Sequence, residues 1–466
     1  MPRWHLKHKV HGALPWDVQS EAMRRSAGHD RYGMWLEQGL GKTALTLNEF
    51  VDSDLDLMVV FTPNSFKLDW PLAPAEWGVP EVKSGYWPRD PLPTGKEGKY
   101  VFAINYEAVR TSAGRDLFDL FDRVPTFLTI DESSAIKNPQ SQQTKRVIQL
   151  AQRARMVREL NGTPLGQNVM DLYAQLRVLG ELNGVNPYVF RNRYAVMGGY
   201  MGRQIKGMQH EDELYAILDR CSFRALKADW RDLPPKVYQV VHLEMTTRQR
   251  QYYREMLQDF VTLVSGLEVS AQLVLTQMGK LRAIASGFVL QDGKTEVFEG
   301  PDTNPKIKAI REIIEGGPGK TVISHVYKAS AAMLVEALAD YNPVTIQGGL
   351  KPEEVIENKR RFNEDPACRV LIGQVDATHR GHTLLGGPGI DRATRMIFMD
   401  NSHSYLHRAQ IEDRIHRGEQ DQTCNYYDLI TSPIDQIVLN SLMRKKGAAD
   451  SLDEIIKVVR SGTWKS

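Results

Sequence analysis

The chain has 466 residues, of which 42% are hydrophobic and 25% are charged, and its formal net charge is +2. This length and composition suit a globular protein of two or three domains and exclude a strongly basic arm, although not a local basic groove. The three cysteines form no CxxC pair, which argues against a zinc site or a disulfide framework and favours a reducing compartment. The N-terminus lacks the apolar core of a signal peptide, and no apolar run is long enough to span a membrane.

Short apolar runs separated by helix-like stretches recur in two blocks of the chain. In the first half, the predicted strands cover residues 32–36, 57–62, 100–105, 126–131 and 155–160. In the second half, they cover residues 321–325, 343–347, 369–374, 395–400 and 424–429. Continuous Val, Ile, Leu and Phe runs are typical of buried parallel strands. The pattern therefore predicts an α/β protein with two lobes, each a mostly parallel sheet with helices on both faces.

The stretch between the two blocks differs from them in composition and in the spacing of its apolar residues. Residues 166–232 and 245–290 carry Leu, Gln, Arg, Tyr and Met at helical spacing, which predicts a helical insertion. Residues 85–99 and 197–209 are predicted as loops, and residues 140–158 as a basic amphipathic helix that leads into a strand. The predicted domains are a first lobe at 1–165, a helical insertion and linker at 166–300, a second lobe at 301–445, and a C-terminal helix or tail at 446–466.

The segment GLGKT, residues 39–43, follows a predicted strand and opens a predicted helix, as a phosphate-binding loop does. Glycines allow a tight turn whose backbone N–H groups point at phosphate oxygens near the helix N-terminus. Lys42 is expected to reach the β- and γ-phosphates, and Thr43 to bind Mg²⁺. The predicted cofactors are thus ATP and Mg²⁺. The nucleotide-binding residues of this segment are predicted to be Gly39, Leu40, Gly41, Lys42, Thr43 and Ala44.

An acidic pair supplies the second half of the predicted site. The apolar run 126–131 ends in Asp131, and Glu132 follows. Nucleotide sites of open α/β sheets lie at the carboxyl ends of the strands. Asp131 is expected to bind Mg²⁺, and Glu132 to orient and deprotonate the attacking water. A helix N-cap pair is the structural alternative for these two carboxylates.

Two arginines near the end of the chain have a spacing that suits the same chemistry. Arg414 and Arg417 are three positions apart and are predicted to share one face of a helix, with Gln410 one turn earlier. ATP hydrolysis needs positive charge at the γ-phosphate, which an arginine finger supplies. If the second lobe closes on the first, both arginines can reach the nucleotide. A solvated helix with salt bridges to Glu412 or Asp413 is the alternative.

Taken in order, these motifs resemble those of Swi/Snf-type DNA-dependent ATPases of helicase superfamily two. The resemblance rests on LPWDVQ (14–19), GLGKT (39–43), TPNSFKLDW (62–70), NYEAVR (105–110), DESS (131–134), LNGTPLGQNVMDLY (160–173), QVDATHRGHTLL (374–385) and QIEDRIHRGEQ (410–420). It implies two RecA-like P-loop lobes, ATP in the cleft between them and DNA across both. It also implies that Gln19 reads the adenine and that Gln410, Arg414 and Arg417 contact the nucleotide.

The resemblance also implies a set of nucleic-acid contacts. They are predicted at Thr62, Lys67, Asn105, Tyr106, Arg110, Thr163, His325, Lys328, Gly348, Thr378 and Arg380. Two departures from the family pattern concern coupling. Ser133 and Ser134 replace the usual Ala-His, so that either a shorter hydrogen bond from Ser134 substitutes for the missing histidine link or the coupling differs. Thr378 stands where the family usually has glycine.

The predicted function is an ATP-dependent helicase or translocase that couples ATP hydrolysis to movement along double-stranded DNA. The alternatives are a strand-separating DNA or RNA helicase, a P-loop switch or small-molecule kinase, and a non-catalytic DNA-binding scaffold that retains an ATP pocket. No stacking or wedge element is evident, which favours translocation over unwinding. The compact chain is expected to be a cytoplasmic monomer of bacterial or phage origin, without a membrane partner.

Overall fold

The described chain forms two compact units, Met1–Asp232 and Leu233–Ser466. The computed structural model describes residues 3–7, 14–64, 66–162, 169–198, 204–230, 233–266, 271–291, 294–378 and 383–444. Within these residues, no helix combines the length and the apolar character needed to cross a membrane.

The first unit is built on a seven-stranded sheet in which every pair of neighbouring strands is parallel. Its strands are β1 Arg31–Leu36, β2 Leu57–Thr62, β3 Lys83–Tyr86, β4 Tyr100–Asn105, β5 Thr126–Asp131, β6 Met156–Leu160 and β9 Ser222–Ala225. Their spatial order is β3-β4-β2-β5-β6-β1-β9. A separate antiparallel hairpin consists of β7 Ala195–Gly198 and β8 Gln204–Met208.

Helices cover both faces of this sheet. They are α1 Asp17–Ser26, α2 Lys42–Asp52, α3 Asp69–Glu76, α4 Ser112–Arg123, α5 Gln142–Arg153, α6 Asp171–Val178, α7 Pro187–Tyr194, α8 Glu211–Cys221 and α9 Lys227–Trp230. Successive strand residues point to opposite faces. Met58 and Val60 of β2 therefore belong to one core cluster with residues of α2 and α3, whereas Val59 and Phe61 belong to another with residues of α4 and α5.

The second unit has a six-stranded sheet, again with parallel neighbours throughout. Its strands are β10 Lys236–His242, β13 Lys320–His325, β14 Val344–Ile346, β15 Val370–Gln374, β16 Ala393–Phe398 and β17 Cys424–Ile430. Their order is β10-β17-β16-β13-β15-β14. An antiparallel hairpin, β11 Phe288–Gln291 with β12 Lys294–Val297, lies outside this sheet.

Helices again lie on both faces of the second sheet. They are α10 Thr247–Gly266, α11 Ala271–Ala285, α12 Pro305–Glu315, α13 Lys328–Ala337, α14 Pro352–Glu364, α15 Val375–Thr378, α16 Tyr405–Glu412 and α17 Pro433–Met443. Ile323 of β13 packs in a cluster with residues of α12 and α13, and its neighbour Val322 packs in a cluster with residues of α14 and α16.

The predicted fold class, two lobes with parallel sheets covered by helices on both faces, is confirmed. All ten predicted strands are present. The loops predicted at 85–99 and 197–209 are wrong in part, because β3 reaches Tyr86 and residues 195–208 include the hairpin β7–β8. The stretch 166–300, predicted as a helical insertion and linker, is divided between the two units at Asp232. The predicted C-terminal helix at 451–461 lies outside the described residues.

Candidate active site

The glycine-bearing loop lies between the end of β1 at Leu36 and the start of α2 at Lys42. Gly39 and Gly41 have φ angles of 86° and 78°, in the left-handed region that favours glycine. A Cβ at Gly41 would lie 2.1 Å from Nε2 of Gln19, so a side chain there would displace Gln19 as well as strain the backbone. The Lys42 ammonium donates a hydrogen bond to the carbonyl oxygen of Leu36 at 2.8 Å. The loop thus has the local geometry that the sequence predicts.

Gln19, the predicted adenine reader, contacts the loop in the structure. Its side chain is 2% exposed, and its Oε1 accepts a hydrogen bond from the backbone N–H of Trp16 at 2.9 Å. The side chains of Leu40 and Ala44 are buried, so these two residues offer a nucleotide only their backbone. Thr43, in the first turn of α2, is half-buried.

Asp131 is the last residue of β5, and its carboxylate is held in place by two donors. Oδ2 accepts hydrogen bonds from the Trp70 indole at 2.9 Å and from the Thr62 hydroxyl at 3.2 Å. Burial, together with the neighbouring Glu132 charge, raises the pKa of Asp131 to about 6, against the opposing effects of Trp70, Lys42 and Thr62. The carboxyl is therefore ionised at neutral pH, and Lys42 lies near enough to stabilise that charge.

Glu132 has an unusual backbone for a residue that is not glycine. Its φ and ψ angles are 52° and 57°, in the sparsely populated left-handed region where strain is often found at functional sites. Behind it, the buried Tyr106 hydroxyl donates to the carbonyl oxygen of Asp131 at 2.7 Å. The acidic loop is thus fixed from the core while the Glu132 side chain stays half-buried.

Ser133 begins a buried hydrogen-bonded network that the sequence did not reveal. Its hydroxyl donates to Oε1 of Gln175 at 3.0 Å and accepts from Nδ2 of Asn161 at 3.0 Å. Asn161 also donates to Gln175 at 3.2 Å, and all three side chains are at most 1% exposed. Within the described residues, the link expected from Ser134 is therefore made by Ser133. It joins the acidic loop to the end of β6 and to α6.

Glu159, on β6, is buried next to this network. Its side chain is fully buried beside the Ser133 hydroxyl and the Trp35 indole, yet neither makes a well-formed hydrogen bond with its carboxyl among the described residues. Burial raises the pKa of Glu159 to about 8. The neighbouring ionisable groups are Cys221, whose thiol pKa burial raises to about 12, and Tyr106, whose pKa is raised well above its usual value. Glu159 is thus protonated at neutral pH.

Replacing Glu159 by Gln is expected to stabilise the protein increasingly as the pH rises from 4.5 to about 8. In the unfolded chain the carboxyl ionises near its ordinary pKa of 4.5, whereas in the fold it keeps its proton to about 8. The wild type therefore loses stability across this window, by up to about 4 to 5 kcal/mol, and a neutral glutamine does not. Melting temperatures from pH 4 to 9 check this, with the exposed Glu81→Gln as control. A difference between variant and wild type that is constant with pH would contradict it.

The two predicted arginine fingers lie in a turn rather than on a helix. α16 ends at Glu412, so the prediction of a shared helical face for Arg414 and Arg417 is wrong. The Arg414 side chain is 1% exposed, and its Nε donates to the carbonyl oxygen of Gln410 at 2.8 Å. Arg417 is half-buried, donating through Nε to the carbonyl oxygen of Asp413 at 3.2 Å and through Nη1 to the Thr383 hydroxyl at 2.9 Å.

Four of the predicted nucleic-acid contacts have buried side chains, and their contact with nucleic acid stays a prediction. Thr62 and Tyr106 are bonded to Asp131 as described above. Thr378 is 0% exposed and its hydroxyl donates to the carbonyl oxygen of Gln374 at 2.8 Å. His325 is also 0% exposed, with Nδ1 2.9 Å from the carbonyl oxygen of Tyr327. Thr62 and His325 end strands, Tyr106 follows one and Thr378 ends α15, and none of these side chains reaches the surface.

Five other predicted contacts are accessible. They are Lys67, Asn105, Arg110, Lys328 and Gly348. Each follows or ends a strand of its sheet, and so lies at the edge formed by the strands' carboxyl ends. The Gly348 N–H donates to Oε1 of Gln374 at 3.0 Å, which ties the loop after β14 to β15. Thr163 and Arg380 lie outside the described residues.

The residues present fit Mg²⁺ bound together with a nucleotide. Among the described residues, no group of three His, Cys, Asp or Glu side chains could hold a metal ion alone. Mg²⁺ in nucleotide sites commonly takes one or two protein ligands, and phosphates and water complete the shell. Thr43 and Asp131 are the residues that would supply these ligands.

The two units with parallel sheets and the glycine loop after β1 define an α/β protein of the P-loop type. Residues 101–288 match the family model of the SNF2-related domain. A mouse protein named "DNA annealing helicase and endonuclease ZRANB3" is 24% identical over 432 residues, which are 88% of this chain and 38% of that protein. The yeast "ISWI chromatin-remodeling complex ATPase ISW2" is 24% identical over 72% of this chain and 32% of its own length.

The chain is thus homologous to the SWI/SNF-type ATPases, as its motifs predict. The members of that family are nucleic-acid-dependent ATPases, which is the enzyme class that the sequence predicts. The chain spans well under two thirds of the length of these relatives. A Sulfolobus solfataricus "SWI2/SNF2 ATPase core in complex with dsDNA" aligns with a TM-score of 0.44 and 19% identity, over 100% of this chain and 97% of that one. A bacterial or phage origin stays a prediction.

Proposed function

We propose that the chain is an ATP-dependent DNA translocase that couples hydrolysis of Mg²⁺-bound ATP to movement along duplex DNA. The observation that carries the proposal is the arrangement at one edge of the first sheet. There the P-loop lysine, Lys42, stabilises the ionised carboxylate of Asp131, which Trp70 and Thr62 hold in place. This pairing of a cation for phosphates with an acid for Mg²⁺ suits phosphoryl transfer to water.

Each residue of this edge has a distinct task in the proposed reaction. The backbone of residues 39–43 and the Lys42 ammonium bind the phosphates, while Thr43 and Asp131 hold Mg²⁺. When bound, Mg²⁺ neutralises phosphate charge and polarises the phosphoryl oxygens. Glu132 orients the attacking water and takes its proton. Its left-handed backbone, fixed through the Tyr106 hydroxyl bond, gives the carboxylate a defined position.

Arg414 and Arg417 complete the proposed site by stabilising charge on the γ-phosphate, with Gln410 beside them. The support for this role comes from the bonding of the two side chains and from the chemistry of the guanidinium group. Both guanidinium groups are held by Nε bonds to backbone carbonyl oxygens of their own turn, which fixes their stems. Arginine suits this task because its planar guanidinium binds phosphate oxygens in pairs. In the proposed cycle, ATP draws the two lobes together through Lys42 on one lobe and the arginines on the other.

Duplex DNA is proposed to contact the accessible residues at the carboxyl edges of the two sheets, through its phosphates. Lys67, Arg110 and Lys328 are the cations of this set, and tracking along DNA requires backbone contacts without base readout. Homology to proteins named as DNA helicases and chromatin-remodeling ATPases supports DNA over other polymers. DNA is proposed to accelerate hydrolysis by favouring the closed state.

Strand separation is retained as a second candidate because of the hairpin β7–β8. The sequence suggested a loop and no wedge element at this place. The hairpin instead exposes apolar side chains, with Val196 at 40% and Met197 at 38%. Apolar side chains on such an element suit contact with unpaired bases, whose faces are themselves apolar.

The test is ATP hydrolysis measured side by side with duplex DNA, single-stranded DNA and RNA, with Lys42→Ala as the background control. Duplex DNA is expected to stimulate hydrolysis most, and a triplex-forming third strand is expected to be displaced during turnover. Stimulation by RNA alone would exclude the duplex translocase. Release of a strand from a forked duplex, without triplex displacement, would favour the second candidate. Absence of hydrolysis with every polymer would leave the non-catalytic DNA-binding scaffold as the remaining candidate function.

A further inference from the structure

The first residues of the second unit are bonded directly to the turn that carries the arginines. The chain passes from the first unit to the second between Asp232 and Leu233. Residues 234–238, which we call the entry segment, follow and include the first three residues of β10. The turn at 412–417, which we call the arginine turn, contains Arg414 and Arg417. The side chains of Tyr238, Lys236 and His416 connect these two segments, although 174 to 182 residues separate the bonded partners in sequence.

Two of the contacts use the acidic residues of the arginine turn. The Tyr238 hydroxyl donates to Oε2 of Glu412 at 2.7 Å. The Lys236 ammonium lies 3.2 Å from Oδ1 of Asp413 and 3.4 Å from Oε2 of Glu412. Both acidic residues are buried, with 8% and 9% exposure, whereas Tyr238 is 43% exposed and the Lys236 side chain is 25% exposed. Hydrogen bonds to a buried charged group are among the stronger interactions in proteins.

The third contact uses the backbone of the entry segment. The Nε2 atom of His416 lies 2.8 Å from the carbonyl oxygen of Pro234. A carbonyl oxygen only accepts, so Nε2 carries the proton and donates. The entry segment therefore binds three residues of the arginine turn, Glu412, Asp413 and His416.

Asp413 is the residue through which the connection reaches an arginine. Its carboxylate binds the Lys236 ammonium, and its carbonyl oxygen accepts from Nε of Arg417 at 3.2 Å. Lys236 and Arg417 are thus bound to the same short residue from opposite ends. A displacement of the entry segment that moves Asp413 also moves the base of the Arg417 guanidinium.

The surrounding structure is rigid enough to transmit such a displacement. β10 pairs with β17 along all seven of its residues. The buried Arg408 guanidinium bridges Glu412, with Nε 2.7 Å from Oε1, and Asp428 of β17, with Nη2 3.0 Å from Oδ2. It also lies 3.4 Å above the centroid of the Phe398 ring. The acid at position 412 is therefore held from β10, β17 and α16 together.

We propose that Tyr238 and Lys236 are positioning residues that set the arginine turn for its contact with the γ-phosphate. They also couple the segment joining the two units to that contact. The inference rests on the proposed function of Arg417 as an arginine finger. Loss of either side chain leaves the phosphate-binding loop intact, because that loop belongs to the other unit. Loss of either side chain is therefore expected to weaken binding of the transition state and to leave ground-state binding of the nucleotide unchanged.

The experiment compares the affinity for Mg²⁺·ADP·aluminium fluoride, which mimics the transferring phosphoryl group, with the affinity for Mg²⁺·ADP. Tyr238→Phe is expected to weaken binding of Mg²⁺·ADP·aluminium fluoride about tenfold, since one hydrogen bond to a charged acceptor is lost. Binding of Mg²⁺·ADP is expected to stay unchanged. Lys236→Met is expected to act in the same direction. The matched control is Tyr341→Phe, because the Tyr341 hydroxyl donates to the Glu315 carboxylate at 3.1 Å away from the turn. Binding is compared well below the melting temperature of each variant, so that a loss of affinity reports positioning and not unfolding.

The same measurement in an Arg417→Ala background decides whether Tyr238 acts through the arginine. Tyr238→Phe is expected to have no further effect there. An equal weakening in both backgrounds, or none in the wild-type background, would overturn the inference while the proposed function stands. If Arg417→Ala itself binds aluminium fluoride as tightly as the wild type does, the arginine-finger role fails, and the inference fails with it.

Discussion

Replacing Glu132 by Gln is expected to abolish ATP hydrolysis while ATP binding is retained. Glutamine has the same shape but cannot accept a proton from water, and general-base catalysis contributes about 10² to 10⁴ in rate. The phosphate contacts of Lys42 and the loop are untouched, because they lie after β1. Single-turnover hydrolysis and equilibrium binding of ATP, measured on the same variant, separate the two effects.

The matched control for this variant is Glu107→Gln, which changes an exposed glutamate that accepts a hydrogen bond from Asn105 at 2.8 Å. It is expected to hydrolyse ATP at the wild-type rate. If Glu132→Gln hydrolyses ATP as fast as this control, Glu132 is not the base. If neither the wild type nor the variant hydrolyses ATP, the scaffold alternative gains support.

Replacing Arg417 by Ala is expected to reduce turnover by at least about 10³-fold, the lower end of what arginine fingers contribute. The variant also distinguishes two classes of protein. A P-loop switch or small-molecule kinase with a single catalytic lobe has no use for a guanidinium in the second unit, and would stay active. Steady-state hydrolysis with duplex DNA and ATP binding are the measurements.

The control for Arg417→Ala is Arg360→Ala, which removes an exposed guanidinium of α14 that pairs with Glu357 at 2.8 Å. Arg414→Ala is less informative, because this side chain is almost fully buried and its loss also affects folding. Turnover of Arg417→Ala equal to that of Arg360→Ala would remove Arg417 from the site.

The strands with the clearest sequence signal are those buried on both faces. β2 and β5 are buried along their full length, and their continuous apolar runs mark them clearly. The missed strands lack this signal. β3 reads KSGY and has no apolar run, and β10 is an edge strand, KVYQVVH, whose valines are interrupted by Gln239 and flanked by polar residues. The hairpin β7–β8 was missed for the same reason, since its strands are short and largely exposed.

The loop glycines and the acidic pair were predictable because each signal lies within a few adjacent residues. The buried partners were not, since folding brings them together from distant positions. Trp70 and Asp131 are 61 residues apart, and Ser133 and Gln175 are 42 apart. The sequence also did not reveal which side chains at the ends of strands are buried. Thr62 and His325 occupy motif positions associated with DNA contacts, but their side chains point inward.

A structure of the chain with Mg²⁺, ADP and aluminium fluoride tests the proposed two-lobed site most directly. The expected result is one nucleotide whose phosphates contact the Lys42 ammonium from the first unit and the Arg414 and Arg417 guanidinium groups from the second. A nucleotide bound by residues 1–232 alone, with both guanidinium groups far from the fluoride, would contradict the proposal.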